Sequence, residues 1–493
     1  MRISRLLTLS SVWHLLPVVL AGFPAANLSS VLSSPLLGLS PATEIFYPSD
    51  ADWTNETQRW TLHDSPTYLA AVKPATERDA QKLVAFAAKS NISFLATGGA
   101  HGFTTSYGTL QNGIMLDLSN FRNVSVDAAA NTMRIGAAVR FGDVYEPLYN
   151  AGKEITTGTS SCVGMLGATL GGGLGRYNGI HGMILDALIS VRLIIATGEI
   201  ITASTTENAD LFWAVRGAGF NYGIVIEATY RITDLTSQYV INADFAFPMN
   251  ASTALLTYLK SFETDMPEKL SLITYVTYVA AYGGLSFTFN AVYAGPKDEL
   301  DQLLSPLLRD ATPIRENITV IPWKDLTYTA FFAAEPSMAA CTKGLYRNVY
   351  GGSVKAYDIS SFNTFFTEMQ DFYLEYPDAQ SSVFFIEHFP KAKALSVPDN
   401  ATAYPYRDIT AHLLWNFGYP AGDLEKPVNA FGVKARADLQ ASSGFLPQQI
   451  YVNYAHGDEA PEILYSARNL PRLRNLKEVW DPENVFRFNE PVV

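Results

Sequence analysis

Thr97-Gly98-Gly99-Ala100-His101-Gly102 follows directly on the apolar run Ile92-Ser93-Phe94-Leu95-Ala96, and this junction decides how the rest of the chain is read. The run predicts a strand over residues 92–96 that ends by delivering an imidazole within a loop almost free of side chains. A second ribbon of the same kind follows: Thr157-Gly158-Thr159-Ser160-Ser161-Cys162-Val163-Gly164-Met165-Leu166-Gly167-Ala168-Thr169-Leu170-Gly171-Gly172-Gly173-Leu174-Gly175. Glycine this dense costs backbone entropy, and it is kept where the chain must take positive φ or let a ligand lie against bare amides. Both loops read as surfaces for something flat and phosphorylated.

A dinucleotide fits that description, but the common fingerprint does not. Gly173-x-Gly175-x-x-Asn178 puts asparagine where the third glycine of G-x-G-x-x-G belongs, and no strand passing at once into a helix is evident around it. The pattern instead resembles flavoproteins of the vanillyl-alcohol oxidase / p-cresol methylhydroxylase superfamily, in particular the berberine bridge enzyme-like branch. Three further stretches carry the resemblance. Asn208-Ala209-Asp210-Leu211-Phe212-Trp213-Ala214-Val215-Arg216-Gly217-Ala218-Gly219-Phe220-Asn221-Tyr222-Gly223-Ile224-Val225 is similar to a long run of that family. Tyr451-Val452-Asn453-Tyr454 and Asp481-Pro482-Glu483-Asn484-Val485-Phe486-Arg487-Phe488 are similar to its closing segment.

The resemblance implies an α+β fold: a two-part FAD-binding domain of the p-cresol methylhydroxylase type over residues 64–236, and an α+β substrate domain with an antiparallel sheet over 237–447. A berberine bridge-like segment over 448–493 then returns to the FAD domain. It implies FAD bonded to His101, with Gly98, Gly99, Ala100 and Gly102 around the attachment point. Gly158, Val163, Gly164, Gly167, Gly171, Gly172 and Gly173 would wrap the cofactor, joined by Gly223, Ile224, Val225 and Asn453. Bicovalent members place a second, cysteine tether three residues before the V-G pair. Here that position is Ser160, which implies a single link through His101. Cys162 is out of register and is assigned to packing or to a disulfide with Cys341.

Val163 matches a position that gates oxygen, where a small residue accompanies oxidases. Ala168 stands where related proteins often hold a histidine. The proton acceptor is less well marked: Tyr451, Tyr454 and His412 are the candidates. Aligning Tyr404-Pro405-Tyr406-Arg407 with the family's F-P-H-R puts Trp415 at the base position, where it could abstract nothing, with His412 and Asn416 nearby. No metal is expected.

Composition narrows the partners. A net charge of -12 and a sequence pI near 5.1 offer no basic face to a nucleic acid. Residues 1–21 carry Arg2 and Arg5 before a short apolar stretch, the layout of a cleaved secretory signal rather than a membrane anchor. Sequons at Asn27, Asn55, Asn91, Asn123, Asn250, Asn317 and Asn400 accord with a secreted glycoprotein.

Local patterns supply the elements. Thr76-Glu77-Arg78-Asp79 opens a helix that ends near residues 89–91, and residues 114–118 and 133–138 read as strands. Residues 187–196 and 199–203 form a hairpin about Thr197-Gly198. Residues 272–279 and 285–293 form another, about Tyr282-Gly283-Gly284, while 300–308 and 361–373 are helical.

The expected activity is a secreted oxidase that transfers hydride from a small hydrophobic alcohol or phenol-type metabolite to FAD, with O2 giving H2O2. The alternatives are an oxidative cyclase or pericyclase, an oligosaccharide oxidase, and a flavin-free binding glycoprotein.

Overall fold

The computed structural model describes residues 25–335 and 339–493; the expected signal segment lies outside them. Four strands form the first sheet: β1 (Glu44–Phe46), β2 (Tyr68–Lys73), β3 (Phe94–Thr97) and β4 (Gly113–Asp117), in the order β1-β2-β4-β3. β2, β4 and β3 run parallel, and β1 adds an antiparallel edge ahead of residue 64. The helix Glu77–Lys89 makes the crossover between β2 and β3. Its cap is Thr76, whose side chain accepts from the Asp79 amide, which satisfies one of the orphan donors of the first turn. Asp79 does not complete a capping box. Its carboxylate instead accepts from the Ser40 amide and the hydroxyls of Thr43 and Thr76, fastening the N-terminal segment to the helix.

The second sheet uses β5 (Val124–Asp127), β6 (Thr132–Gly136), β8 (Leu188–Ile194), β9 (Ile200–Ser204) and β10 (Ile224–Arg231), in the order β5-β6-β10-β8-β9. All its pairings are antiparallel. The β8–β9 turn rests on Gly198 at φ +85°, a conformation that favours glycine. A two-stranded clasp of β7 (Lys153–Glu154) and β11 (Thr233–Asp234) closes this half.

Past it the chain builds one seven-stranded antiparallel sheet. Its strands are β12 (Tyr239–Pro248), β13 (Leu270–Val279), β14 (Gly284–Tyr293), β15 (Arg315–Pro322), β16 (Arg347–Val354), β17 (Val383–His388) and β18 (Ala411–Gly418). The order is β15-β12-β14-β13-β17-β18-β16. Helices Ser252–Lys260, Lys297–Asp310, Ile359–Glu375 and Glu425–Ala441 contribute to the aromatic core on one face of this sheet, where Phe245, Phe287, Phe365, Phe366, Phe384 and Trp415 are buried. Period-two alternation dictates the rest: with Phe384 and Trp415 turned to the helices, Phe385, Glu387, Leu414 and Asn416 face the other way. That second face roofs a cavity.

The last helix, Pro461–Trp480, packs back on the helix Ala209–Ala218 of the first half. Buried Lys477 ties the return in place, donating to Asp481 Oδ2 and to the carbonyls of Asn221 and Phe486.

Candidate active site

A cavity of about 880 Å³ lies between the two sheets of the first half and the roof of the second. Both glycine ribbons reach it. Gly98, Gly99, Ala100, His101, Gly102, Gly158, Val163, Gly164 and Gly167 line it, as do Gly223, Ile224, Val225, Tyr451, Asn453 and Tyr454.

The first ribbon turns sharply at Ala100, which holds φ +57°, a region sparsely used by residues with a Cβ. A hydrogen bond from the Trp60 amide to the Ala100 carbonyl, 2.9 Å, fixes the turn. The two ribbons press together at Gly99, where a Cβ would stand 2.8 Å from the Gly164 amide nitrogen. At Gly167 the reverse holds: nothing lies within 4 Å of the place a Cβ would take. There the short helix Met165–Gly171 leaves open a cradle that a side chain would fill.

Gly171, Gly172 and Gly173 do not line the cavity. They stand behind it: a Cβ at Gly171 would strike the Asn453 side chain, one at Gly172 the Tyr451 ring, and one at Gly173 the Ile184 side chain. Their role is close packing of the ribbon on the C-terminal segment. Tyr451 serves the same seam, since its hydroxyl accepts from the Gly173 amide at 2.9 Å and from Asn453 Nδ2 at 2.6 Å. Asn453 also donates to the Ala168 carbonyl at 2.8 Å, so the position where related proteins often hold a histidine is covered here by backbone and an amide.

His101 projects from the end of β3 into the cavity. Its ring stacks on Trp60 with centroids 4.7 Å apart, and its Nε2 lies 3.3 Å from the Ala340 carbonyl. Burial pushes its pKa down to about 4, so the imidazole is neutral and nucleophilic at ordinary pH. Cys162 and Cys341 form a disulfide with Cα atoms 5.7 Å apart. The covalent cross-link therefore joins the second ribbon to the substrate half.

Across the cavity stands a pair that the sequence reading did not assemble. Glu387, 5% exposed on β17, accepts a 2.6 Å hydrogen bond from the Tyr454 phenol, and Thr159 Oγ1 lies 3.5 Å away. Burial raises the Glu387 pKa, against the opposing pull of the Tyr454 hydrogen bond and of the Arg176 charge. Burial, then the Glu387 charge, lifts the Tyr454 phenol well above its ordinary value.

Trp415 is no part of the site. It is packed against Phe365 and Phe384 on the helix-covered face, so the alignment that put it at the base position is corrected. Glu387, on the neighbouring strand and facing the cavity, holds the carboxylate. A signal for it was present, because an ionisable residue breaks the apolar alternation Val383, Phe385, Glu387 on one strand face.

His412 is the cross-strand partner of Glu387. Its ring lies edge-on to Tyr451 and Tyr454, with centroids 5.6 and 6.4 Å away. It sits behind the cavity wall rather than on it, Nδ1 has no hydrogen-bond partner, and burial drives its pKa down to about 3. Arg176 was also missed. It is 8% exposed, its two terminal nitrogens have no partner, and its guanidinium lies 5.3 Å over the Phe331 ring. Phe331 in turn stacks on Tyr275 at 4.0 Å. These two rings with Phe385, Val383 and Leu414 form an apolar patch on the roof side of the cavity, beside the polar Glu387 and Asn416.

A cavity lined by glycine backbone, a neutral imidazole and a phenol–carboxylate pair suits a large planar cofactor beside a group that can move a proton. Residues 68–204 match the FAD binding domain family, and residues 450–493 match the family described as berberine and berberine like. The FAD-linked oxidoreductase azaL of Aspergillus niger is 43% identical over 458 residues, covering 92% of this chain and 95% of that protein. The chain belongs to the berberine bridge enzyme-like family of FAD-linked oxidoreductases. Among solved structures, chitooligosaccharide oxidase superposes with a TM-score of 0.80 at 21% identity, covering 95% of this chain and 99% of that one. Glucooligosaccharide oxidase from Acremonium strictum, described as carrying 6-S-cysteinyl, 8α-N1-histidyl FAD, gives 0.78 at 22% identity, covering 90% and 95%. The cradle at Gly167 and the paired ribbons fit the FAD that the family implies.

Proposed function

We propose that the protein is a secreted flavoprotein oxidase, with FAD held covalently by His101 alone, acting on a small hydrophobic alcohol or phenol-type metabolite. FAD, when bound, supplies the two-electron acceptor that takes hydride from the substrate and passes the electrons to O2, giving H2O2. The protein's task is to hold the substrate and move a proton. A substrate hydroxyl seated against the Tyr454 oxygen gives its proton to that oxygen as the phenolic proton passes to Glu387 across the 2.6 Å bond. A carboxylate whose pKa is raised by burial suits such an acceptor, because catalysis favours a base poised near the working pH.

The observation that carries this reading is the Tyr454–Glu387 pair beside an apolar patch. The aromatic surface of Tyr275, Phe331 and Phe385 suits a ring system or aliphatic chain better than a sugar. Secretion and N-glycosylation are supported by the disulfide and by the exposure of Asn55, Asn91, Asn123, Asn250, Asn317 and Asn400; the side chain of Asn27 lies outside the described residues. A single tether is supported because Cys162, beside the ribbon, is taken up by Cys341.

The test is anaerobic mixing of the purified yellow protein with a panel of hydrophobic alcohols, phenols and oligosaccharides, followed by admission of air. Loss of the flavin absorbance with an alcohol or phenol, and H2O2 on reoxidation, is expected. Bleaching by oligosaccharides alone would transfer the assignment to a sugar oxidase. Consumption of substrate to a cyclised isomer without peroxide would transfer it to a cyclase, and a colourless protein would leave no redox reading.

A further inference from the structure

The Ala340 carbonyl collects two ring N–H groups from residues more than two hundred positions earlier in the chain. Trp60 Nε1–H donates to it at 2.7 Å, and His101 Nε2 lies 3.3 Å from the same oxygen. A carbonyl can only accept, so it selects the tautomer with the proton on Nε2 and leaves the lone pair on Nδ1. Ala340 is itself pinned: the next residue, Cys341, is bonded to Cys162 of the second glycine ribbon. The Trp60 ring is held by His101, stacked at 4.7 Å, and by the Arg347 guanidinium, 4.2 Å from its centroid. Arg347 also donates to the carbonyls of Trp60 and Thr342. Segments around residues 60, 101, 162, 340 and 347 thus meet on one imidazole, and none of them is near Glu387 in the sequence.

We propose that the disulfide-anchored Ala340 carbonyl and the Trp60 indole form a device that sets the tautomer and ring orientation of His101 for its attachment to FAD, which makes Trp60, Cys162 and Cys341 positioning residues of cofactor attachment. The proposal rests on the covalent His101 link of the preceding section. In the attachment a bond forms between Nδ1 and the 8α-methyl carbon of FAD. One hydrogen leaves the methyl group and, once the bond has formed, the Nε2 hydrogen leaves the resulting imidazolium, both as protons that are taken up in the reduction of O2. The two electrons released reduce the flavin and pass to O2, giving H2O2. As Nδ1 gives up its lone pair, Nε2–H grows more acidic, and its hydrogen bond to the Ala340 carbonyl strengthens as charge develops on the ring. A carbonyl held by a disulfide makes that contact without first having to be ordered.

The test measures attachment separately from binding. Wild type, Trp60→Phe, the double variant Cys162→Ser/Cys341→Ser and the control His101→Ala are produced with excess FAD, and each is divided in two. One half gives total flavin from the native spectrum and the thermal midpoint. From the other, samples taken at intervals of exposure to FAD are precipitated in acid, and the flavin-bearing fraction of each is read by intact mass, which gives the rate and the final level of attachment. Wild type is expected to keep its flavin through acid and His101→Ala to lose it. The double variant should bind FAD with an acid-stable fraction at least tenfold lower, and Trp60→Phe, which keeps a ring but loses the donor, should attach FAD several-fold more slowly at an unchanged thermal midpoint. Acid-stable flavin at the wild-type level and rate in both variants would overturn the proposal. Should the double variant fail to fold, the rate in Trp60→Phe decides alone. Wild type that itself releases all flavin into acid would overturn the covalent reading, and this proposal with it.

Discussion

The Tyr454 phenol donates to the Glu387 carboxylate across 2.6 Å, joining a residue of the C-terminal return to one in the middle of the roof sheet. The phenol titrates well above its ordinary range, and the carboxylate that accepts from it is itself raised by burial. In the proposed mechanism the two act as one acceptor. Tyr454→Phe and Glu387→Gln should each lower kcat by about 10² to 10⁴-fold, the usual worth of general base catalysis, while FAD content and the flavin spectrum stay as in wild type. Rapid-mixing measurement of flavin reduction under anaerobic conditions checks this. Full reduction rates in Tyr454→Phe would remove the pair from the mechanism.

Glu387 is buried among a small set of neighbours, and this sets a pH dependence. Tyr454 and Thr159 contact it, Tyr451, Tyr275 and His412 lie near, and Arg176 is the cation among the charges acting on it. In the proposed mechanism the catalytic form is the ionised carboxylate, so the reduction rate should rise with pH through a midpoint above the ordinary glutamate value. Arg176 opposes the upward shift. Arg176→Met removes that opposition, and the acidic limb should move further up, by about one pH unit. Because the terminal nitrogens of Arg176 have no partner, the apolar replacement should cost little stability. An acidic limb unmoved in Arg176→Met, or displaced downward, would count against the electrostatic role.

The cofactor half was legible because its function is written in backbone. Glycine clusters, a histidine at a strand end and the closing Tyr451-x-Asn453-Tyr454 carry local information that needs no partner to be recognised. Even so, Gly171 to Gly173 turned out to pack against Tyr451, Asn453 and Ile184 rather than line the cavity, since a tight turn and a bare ligand surface demand the same residue. The proton acceptor was hidden for the opposite reason. It is made by pairing β17 with β18, and a one-residue change in facing separates Trp415 in the core from Leu414 and Asn416 on the cavity. The contact of Trp60 with Ala340 spans 280 residues, and no local pattern announces it.

Glu490 carries a second titration, away from the reacting groups. Its carboxyl is 3% exposed with Oε1 unpartnered, and burial pushes its pKa up to about 8. The folded state therefore prefers the protonated acid. The stability it contributes is complete below the unfolded-state pKa near 4.5 and is lost as pH rises through about 8. Glu490→Gln keeps the shape without the charge and should leave the thermal midpoint unchanged at acid pH. At pH values above the folded-state pKa it should raise stability by about 1–3 kcal/mol. Denaturant titrations at the two extremes check the difference, and equal effects at both would assign it to packing instead of ionisation.

β15 is an edge strand of the roof sheet, bonded on one side to β12. Its Val320 is 58% exposed, and an open edge with apolar side chains invites pairing with a second copy. Asn317, exposed in the first half of that strand, is the sequon placed to shield it. A glycan there would keep other strands off by bulk and hydration. Asn317→Gln should therefore self-associate at concentrations where wild type does not, read as larger species by size-exclusion chromatography with light scattering, at unchanged specific activity. Asn55→Gln is the control, since Asn55 is exposed on the short helix Trp53–Thr57 and borders no open strand of the seven-stranded sheet. Equal behaviour of the two variants would mean that the edge is guarded by its own charged residues, Arg315 and Glu316, rather than by the sugar.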